Sequence, residues 1–263
     1  MTDGPADDLA LIVEAAHAAG ELAMALRDAG LDVEYKAGNS PVTNADLAAD
    51  ALLTTRLRPA RPQYGWLSEE TADDPSRLAA PRLFVVDPID GTRAFAKGDP
   101  YWTVCVAVVE AGRPTAGVVF APQLGETYAA AAGGGATLNG RPIHASAACA
   151  IDGCGMIAHP RMFKHQDWPK PWPDMVIARR NSTAYRLCLV ASGAADATVT
   201  FAAKHDWDLA AADLIAAEAG AYVGDHTGHA FIYNRAAPMQ PSLVCAAPAL
   251  APLILERVRH IAL

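Results

Sequence analysis

One ten-residue stretch, residues 83–92, joins a buried-strand pattern to a pair of carboxylates and so constrains the fold around it. Its first four residues, Leu83–Val86, are all apolar, which predicts a strand that is buried on both faces. Asp87 and Asp90 follow directly, and Pro88 between them cannot donate a ladder hydrogen bond. We therefore expect the strand to end at Pro88 and to carry two acidic side chains at its end.

The two aspartates at this strand end favour a metal site. Ionised carboxylates in such a place need water or a cation, and two so close together favour a divalent metal with oxygen ligands. Gly91 permits a sharp turn, and the N–H groups of a helix that starts at Gly91 or Thr92 can hold a phosphate beside that metal. The alternative, an Asp-Pro turn followed by a capped helix, fits the spacing equally well. A D-x-D-x-T phosphatase nucleophile fits less well, because its aspartates lie two apart on one side of the chain.

Composition and charge restrict the classes of protein to consider. The chain has 263 residues, 52% of them apolar, which suits one large domain or two closely packed ones. A formal net charge of −8 argues against binding to nucleic-acid polymers or to anionic membranes. No signal peptide is predicted, because the N-terminus has no basic start followed by an apolar run. No membrane-spanning helix is predicted, because no apolar run of about 18 residues lacks an interrupting charge, Gly or Pro. The five cysteines form no C-x-x-C pair, which predicts reduced thiols in a cytoplasmic protein and no cysteine zinc site.

Four further acidic residues each have a local explanation that needs no function. Thr43 and Asp46 have the spacing of a capping box at the start of a helix. Asp208 begins a helical pattern and could be its N-cap. Glu69 and Glu70 end a short strand and could be solvated. These local roles remain alternatives to a catalytic role.

The order of predicted elements indicates two parts. A helix over residues 8–29 and a meander of antiparallel strands after residue 103 give an α+β part, residues 1–143. Alternating β and α signals give an α/β part, residues 144–263. Gly133–Gly135 lacks a following G-K-[ST] and is interpreted as hairpin loops rather than a phosphate loop. The Pro- and Trp-rich segment Arg161–Pro173 is predicted to be a surface loop, with a role in a pocket or a subunit contact left open.

The six residues Asp87–Thr92, D-P-I-D-G-T, resemble the signature of the inositol monophosphatase superfamily, magnesium-dependent and typically lithium-sensitive phosphomonoesterases. Three more segments match in the same order: S-P-V-T-x-A-D ending at Asp46, the E-E pair at Glu69, and W-D-L-A-A-A-D-L-I-A-A-E-A-G from Trp207. Together the matches span residues 38–220 and are far more specific than any one alone. The resemblance implies a layered α-β-α-β-α sandwich, with an N-terminal antiparallel-sheet part, a C-terminal α/β part and a pocket between them.

The resemblance also implies a set of metal ligands for two or three Mg²⁺ ions. Four crowded carboxylates would repel one another without cations, and bound Mg²⁺ would polarise the phosphate and lower the pKa of a water. The implied ligands are Glu69, Asp87, the carbonyl of Ile89, Asp90 and Asp208.

By the same resemblance, Thr92 and Asp46 orient and deprotonate the attacking water, with Glu69 as a further catalytic residue. Asp90, Gly91 and Thr92 are implied to contact the substrate phosphate, and no covalent phosphoenzyme is expected. A non-catalytic metal- or phosphate-binding module is the alternative from another class. Such a module would not need the pair Thr92 and Asp46, so an enzyme is favoured.

The substrate is less constrained. In inositol monophosphatases a Glu before the W-D motif contacts the sugar hydroxyls, but residues Thr200–Asp206 contain none. The twelve-residue spacing from Asp196 to Asp208 and the run Arg186–Ala191 resemble the bacterial 3'(2'),5'-bisphosphate nucleotidases. We therefore expect adenosine 3',5'-bisphosphate as the substrate, with inositol 1-phosphate and histidinol phosphate as alternatives.

A second substrate phosphate would need cations of its own. Arg186 and Lys204 are the candidates, together with Arg93, which stands where the nucleotidases carry Lys; ordinary surface charge is the alternative for Arg186 and Lys204. The expected partner is a small phosphorylated metabolite, and the sequence leaves open whether the protein forms a homodimer.

Overall fold

Helices flank two β-sheets within residues 4–36, 40–164 and 168–263, the part of the chain that this computed structural model describes. The predicted loop Arg161–Pro173 includes residues 165–167, which lie outside that part. The helices are Pro5–Ala29 (α1), Asn44–Ala60 (α2), Thr92–Phe95 (α3), Thr183–Ala191 (α4), Asp206–Glu218 (α5) and Ala251–Val258 (α6), with 3-10 turns at Pro75–Ala79, Pro122–Leu124 and Pro160–Lys164.

The N-terminal half contains a hairpin and a seven-stranded sheet. The hairpin pairs Val33–Lys36 (β1) with Ser40–Thr43 (β2) in antiparallel fashion. The sheet strands, in spatial as well as chain order, are Gly65–Ser68 (β3), Arg82–Asp90 (β4), Thr103–Glu110 (β5), Arg113–Ala121 (β6), Glu126–Ala131 (β7), Ala136–Leu138 (β8) and Arg141–Ile143 (β9). Only β3 and β4 are parallel, and the other neighbours form the predicted antiparallel meander.

The C-terminal half contains a smaller, mixed sheet. The five strands of this sheet are Gly155–Ile157 (β10), Val176–Ala178 (β11), Ala197–Thr200 (β12), Tyr222–Gly224 (β14) and Leu243–Ala246 (β16). A separate two-stranded sheet consists of Lys204–His205 (β13) and Met239–Gln240 (β15). The sheet order is β11-β10-β12-β16-β14, and β13 pairs with β15. Strand β10 is parallel to both neighbours, and β16 is antiparallel to both of its own.

The layers follow from alternation along the buried strands of the larger sheet. Phe84 and Val106 face the core shared with α1 and α2, whereas Val85 and Ala107 face the core shared with α4 and α5. The smaller sheet packs on the other side of α4 and α5 and carries α6 on its outer face. Gly117 permits the close approach of α5, because a Cβ there would lie 2.8 Å from the carbonyl oxygen of Ala211. The result is the layered α-β-α-β-α fold that was predicted, and the division near residue 144 stays a prediction.

The predicted end of β4 at Pro88 is wrong, because the strand continues to Asp90. On β4, Asp87 pairs with Cys105 and Asp90 pairs with Thr103, so three steps on one strand oppose two on the other. The bulge accommodates Pro88, because residues 88 and 89 have no paired residue on β5. The missing N–H of Pro88 is therefore not needed for a hydrogen bond between the two strands.

Helix α1 is long and apolar enough to cross a membrane, judged by length and composition alone. Its residues Ile12, Ala16 and Ala19 are buried in the core shared with α2 and the larger sheet. At its start, the fully buried Asp8 accepts hydrogen bonds from Arg61 Nε (2.8 Å) and the Tyr64 hydroxyl (2.9 Å). These contacts are those of a core helix in a globular protein.

The glycine-rich segment Gly133–Gly135 forms turns, as predicted, and binds the carboxylate of Glu218. The N–H groups of Gly133 and Gly135 donate to the two oxygens of Glu218 at 2.7 and 2.8 Å. The segment thus fastens the end of α5 to the larger sheet.

Candidate active site

The bulge at the end of β4 carries two aspartates, of which Asp90 contacts the first turn of α4. Asp87 Oδ1 accepts the N–H of Ile89 at 3.0 Å, which closes the bulge. Asp90 Oδ2 accepts the Ser182 hydroxyl and the N–H of Ala184, both at 2.7 Å. Asp90 therefore joins the larger sheet to the N-terminus of α4 with one oxygen and leaves the other oxygen for a ligand.

Asp208 joins these two aspartates from α5. One oxygen from each of Asp87, Asp90 and Asp208 lies within 4.8 Å of the others. The N-cap position is His205, not Asp208, which is the third residue of the helix and accepts the His205 N–H at 2.9 Å. This hydrogen bond fixes one oxygen of Asp208, so its local role and a role as ligand are compatible.

Burial and mutual repulsion raise the pKa values of this cluster. Burial is the main cause for Asp87, whose pKa is well above its usual range, and the charges of Glu69, Asp90 and Asp208 add to it. Burial, and then Asp208, raise the pKa of Asp90 to about 6, against the hydrogen bond from Ser182. Such a cluster is unfavourable in its ionised form unless a cation neutralises it.

The donor set fits a hard divalent cation. Asp87 is 1% exposed, and its Oδ2 is buried without a hydrogen-bond partner among the described residues. A buried, unpaired carboxylate oxygen is costly, and coordination would remove that cost. The three converging side chains each offer a carboxylate oxygen, which is the ligand type that Mg²⁺ prefers.

Thr92 and Asp46 form a buried pair beside the cluster. Asp46 Oδ2 accepts the N–H and the hydroxyl of Thr43 at 2.8 and 2.6 Å, so the predicted capping box is present. Asp46 Oδ1 accepts the Thr92 hydroxyl at 3.1 Å, and the Ile89 carbonyl lies at the same distance from that hydroxyl. The capping role therefore orients Asp46 toward Thr92, and the two interpretations of Asp46 are compatible.

Gly91 makes the turn between the bulge and the next helix. Its φ is +102°, and a Cβ there would lie 3.2 Å from the carbonyl oxygen of Tyr101. Both features favour glycine. Helix α3 is only four residues long, so any anion binding here would depend on individual N–H groups more than on a helix dipole.

One cavity of about 360 Å³ brings together the predicted residues except Asp46, which lies behind Thr92. Arg93, a further cation considered from the sequence, also lines it. Three lining residues were not predicted from the sequence: Pro41, Asn181 and Thr183. The predicted residues that line the cavity are Glu69, Asp87, Ile89, Asp90, Gly91, Thr92, Arg186, Lys204 and Asp208.

Arg186 and Lys204 differ in how far they are available to a substrate. Arg186 donates from Nε to the Arg180 carbonyl at 2.7 Å and from Nη2 to the Asn181 carbonyl at 3.2 Å, so it also supports the loop before α4. Lys204 lies on β13, and its charge opposes the rise in the pKa of Asp90 that burial causes. Lys204 is thus placed near the carboxylates.

Asp50 is a supporting residue that was not predicted from the sequence. It accepts the Ser68 hydroxyl at 2.5 Å and the Thr71 hydroxyl at 2.7 Å, and so holds both sides of the turn that contains Glu69. Asp50 lies one helical turn after Asp46, on the same face of α2. The four-residue spacing from Asp46 is the sequence signal that could have identified Asp50.

We expect Asp50→Asn to weaken Mg²⁺ binding by about tenfold, because it frees the turn that positions Glu69. Titration calorimetry with Mg²⁺ measures this directly. Asp196→Asn is the matched control, since Asp196 also holds a loop through a serine hydroxyl (Ser146, 2.5 Å) and an N–H (Gly155, 2.7 Å) outside the cavity lining. Equal Mg²⁺ affinity in both variants would contradict a positioning role for Asp50.

Comparisons with known proteins give matches over most of the chain. A family model described as the inositol monophosphatase family matches residues 6–263. The chain is 32% identical over 231 residues to Nus factor SuhB of Escherichia coli K12, covering 84% of this chain and 85% of that protein. It is 32% identical over 248 residues to 3'(2'),5'-bisphosphate nucleotidase CysQ of Shigella flexneri, covering 85% and 92%.

Two further matches complete this picture. The chain is 34% identical over 234 residues to a histidinol-phosphatase of Chlorobaculum parvum, covering 86% of this chain and 89% of that protein. A solved IMPase structure from Thermotoga maritima has a TM-score of 0.82 at 27% identity, with 97% of each chain covered. The names of these relatives differ, so the comparisons leave the substrate open.

Proposed function

Because the chain belongs to the inositol monophosphatase family, we propose that it is a Mg²⁺-dependent phosphomonoesterase that uses water as its nucleophile. One observation carries this proposal: Asp87, Asp90 and Asp208 converge within 4.8 Å beside the hydrogen-bonded pair Thr92 and Asp46. A cluster of carboxylates alone would suit a binding module. The adjoining hydroxyl–carboxylate pair adds a means to activate water.

The residues that would hold Mg²⁺ are the converging carboxylates, with Glu69 and the Ile89 carbonyl from the same cavity. When bound, Mg²⁺ supplies a Lewis acid that polarises the phosphate and favours an ionised nucleophile. We propose two or three ions, as the family resemblance implies.

Thr92 and Asp46 would prepare the water. The single hydroxyl hydrogen of Thr92 can be donated to Asp46 Oδ1, which leaves the lone pairs of Thr92 Oγ1 to accept a hydrogen bond from water. As the water attacks, its proton passes to Thr92 Oγ1 while the Thr92 proton passes to Asp46. Thr43 holds the other oxygen of Asp46, so the acceptor is oriented in advance.

The N–H groups of Gly91 and Thr92 would hold oxygens of the substrate phosphate beside the carboxylates. The left-handed conformation of Gly91 turns the backbone at the wall of the cavity, where a ligand can approach it closely. This arrangement orients the phosphorus toward the prepared water, which is a large part of catalysis in phosphoryl transfer.

For the substrate, we propose a 3'(2'),5'-bisphosphate nucleotide, with inositol 1-phosphate and histidinol phosphate as alternatives. The absence of a Glu in residues 200–206 and the position of Arg186 in the cavity favour a substrate with more than one phosphate. The match to a nucleotidase over 92% of its length is consistent with this choice. The absence of a C-x-x-C pair in the sequence is consistent with a cytoplasmic location for such an enzyme, which we also propose.

We expect EDTA to abolish hydrolysis of phosphate monoesters and Mg²⁺ to restore it, because the carboxylates cannot act on phosphate alone. The assay measures phosphate release from adenosine 3',5'-bisphosphate, inositol 1-phosphate and histidinol phosphate, and it includes millimolar Li⁺ as an inhibitor. Full activity after dialysis against EDTA would overturn the proposed function. A tenfold preference for inositol 1-phosphate would overturn only the choice of substrate.

A further inference from the structure

A buried arginine, Arg77, joins the segment that follows Glu69 to the loop between β14 and β15. Arg77 is 2% exposed, and its Nε and Nη2 donate to the two carboxylate oxygens of Asp73 at 2.6 and 2.9 Å. Its Nη1 donates to Asn234 Oδ1 at 2.7 Å, and its Nη2 donates to the Arg235 carbonyl at 3.1 Å. One guanidinium group thus connects segments that lie 157 positions apart in the chain.

On one side, Arg77 contacts the strand that precedes Glu69. A Cβ placed on Gly65 would lie 3.1 Å from the Cβ of Arg77, so Arg77 packs directly on β3. Glu69 follows the last residue of β3, and Asp73 lies four residues further along the chain. Arg77 therefore holds both the strand before Glu69 and the segment after it.

On the other side, Asn234 contacts the first turn of α5, the helix that carries Asp208. The N–H of Asn234 donates to Asp206 Oδ2 at 3.0 Å, and Gln240 Nε2 donates to Asp206 Oδ1 at 2.9 Å. Asp206 is fully buried and is the first residue of α5, two residues before Asp208. Because both oxygens of Asp206 accept hydrogen bonds from this loop, the loop fixes the start of the helix.

We name the linked residues Asp73, Arg77, Asn234 and Asp206 the polar strap. Neither Arg77 nor Asn234 lines the active-site cavity, so neither is placed to touch a substrate there. A buried ion pair adds little net stability compared with apolar groups, and it can instead select one arrangement of the elements that it joins. The elements that the polar strap joins are those that carry two of the predicted metal ligands.

We propose that the polar strap fixes the separation between Glu69 and Asp208 and so sets the affinity of the cavity for Mg²⁺. This inference rests on the proposed function and deepens it. Mg²⁺ demands near-ideal octahedral geometry with ligand distances of about 2.1 Å, so a small shift of α5 relative to β3 lowers its affinity. Arg77 and Asn234 are positioning residues, because they act on Mg²⁺ only through the elements that they hold.

Asn234→Gly tests the polar strap with little disturbance of the backbone. Asn234 has a φ of +58°, which glycine adopts freely, and the variant keeps the N–H that Asp206 accepts. The side-chain contacts with Arg77 are lost. We expect titration calorimetry to show Mg²⁺ binding that is about tenfold weaker, as when outer support of a metal ligand is removed. The rate at saturating Mg²⁺ should return to near wild type, because no cavity residue has changed.

Two matched variants accompany Asn234→Gly. Asn234→Asp keeps an oxygen that accepts from Arg77 and suits the same φ, so it should bind Mg²⁺ nearly as wild type does. Asn139→Gly is the control, because Asn139 has a φ of +50° and uses its side chain to hold Thr127 and Gly125, outside the cavity lining. This control should leave Mg²⁺ affinity unchanged even where it lowers the Tm.

A second variant keeps the proposal testable if Asn234→Gly does not fold. Asp73→Asn removes the charge that faces the Arg77 guanidinium, at a side chain that is 41% exposed, and it should also weaken Mg²⁺ binding. In the double variant the loss of affinity should be smaller than the product of the two single losses, because both residues act through Arg77. Losses that simply multiply would overturn the polar strap.

The outcomes separate this inference from the proposed function. Wild-type Mg²⁺ affinity in Asn234→Gly and Asp73→Asn, together with phosphate release that EDTA abolishes, overturns the polar strap and leaves the phosphatase intact. Equally weakened binding in Asn139→Gly also overturns it, because the effect would then follow a general loss of stability. If no phosphate monoester is hydrolysed, the proposed function fails, and the calorimetry still decides whether the polar strap supports a Mg²⁺ site. Absence of Mg²⁺ binding to the wild-type protein overturns both.

Discussion

Replacement of Asp90 by asparagine is expected to lower kcat/KM for every phosphate monoester by about 10³-fold, since loss of several kcal/mol of metal stabilisation has that effect on rate. Asp90 is 6% exposed, and its Oδ2 is already used by the Ser182 hydroxyl and the Ala184 N–H. The asparagine carbonyl can keep those two hydrogen bonds. Its NH₂ group then points toward Asp87 and Asp208, where a cation needs a negatively charged ligand.

Asp208→Asn should have an effect of similar size for the same reason. The asparagine oxygen can still accept the His205 N–H, so helix α5 keeps that contact. Asp213→Asn is the matched control: Asp213 lies on the same helix and accepts the Tyr233 hydroxyl at 2.7 Å, and it does not line the cavity.

Mg²⁺ titration calorimetry and thermal unfolding should accompany these rates. We expect weaker Mg²⁺ binding in Asp90→Asn and Asp208→Asn and wild-type rates in Asp213→Asn. Near-normal turnover at ordinary Mg²⁺ concentrations in both site variants would show that the cluster is not the catalytic metal site.

Replacement of Thr92 by alanine is the second change with a large expected effect, a fall in kcat of about 10²- to 10⁴-fold, as loss of a general base usually costs. The Thr92 hydroxyl lines the cavity and donates to Asp46, so in the proposed mechanism it connects Asp46 to the attacking water. The Thr92→Ala change removes none of the carboxylates that are proposed to hold Mg²⁺. Mg²⁺ affinity and substrate KM should therefore remain close to wild type while turnover falls.

Thr92→Ser is the matched variant, because it restores the hydroxyl and deletes only a methyl group. It should recover most of the activity lost in Thr92→Ala. If the alanine variant keeps nearly all of its turnover, or if serine gives no recovery, the assignment of Thr92 and Asp46 as the water-activating pair is wrong.

The sequence alone was sufficient for features that depend on neighbouring residues. The apolar run before Asp87 specified a buried strand, and the spacing of Thr43 and Asp46 specified a capping box, which is present with hydrogen bonds of 2.6–2.8 Å. The prediction that β4 ends at Pro88 was wrong. The bulge there is created by pairing with β5, and the residues of β4 alone do not reveal that partner.

What only the tertiary structure decided involves contacts between distant parts of the chain. Asp90 and Asp208 meet because α5 packs across the larger sheet, and Asp50 reaches Ser68 and Thr71 because α2 lies beside β3 and β4. Arg186 likewise donates to the carbonyls of Arg180 and Asn181, contacts that form only once α4 and the loop before it are in place. Acidic and basic residue types, with their local spacing, were visible in the sequence. Their distances and burial were not, since these follow from long-range packing of helices on sheets.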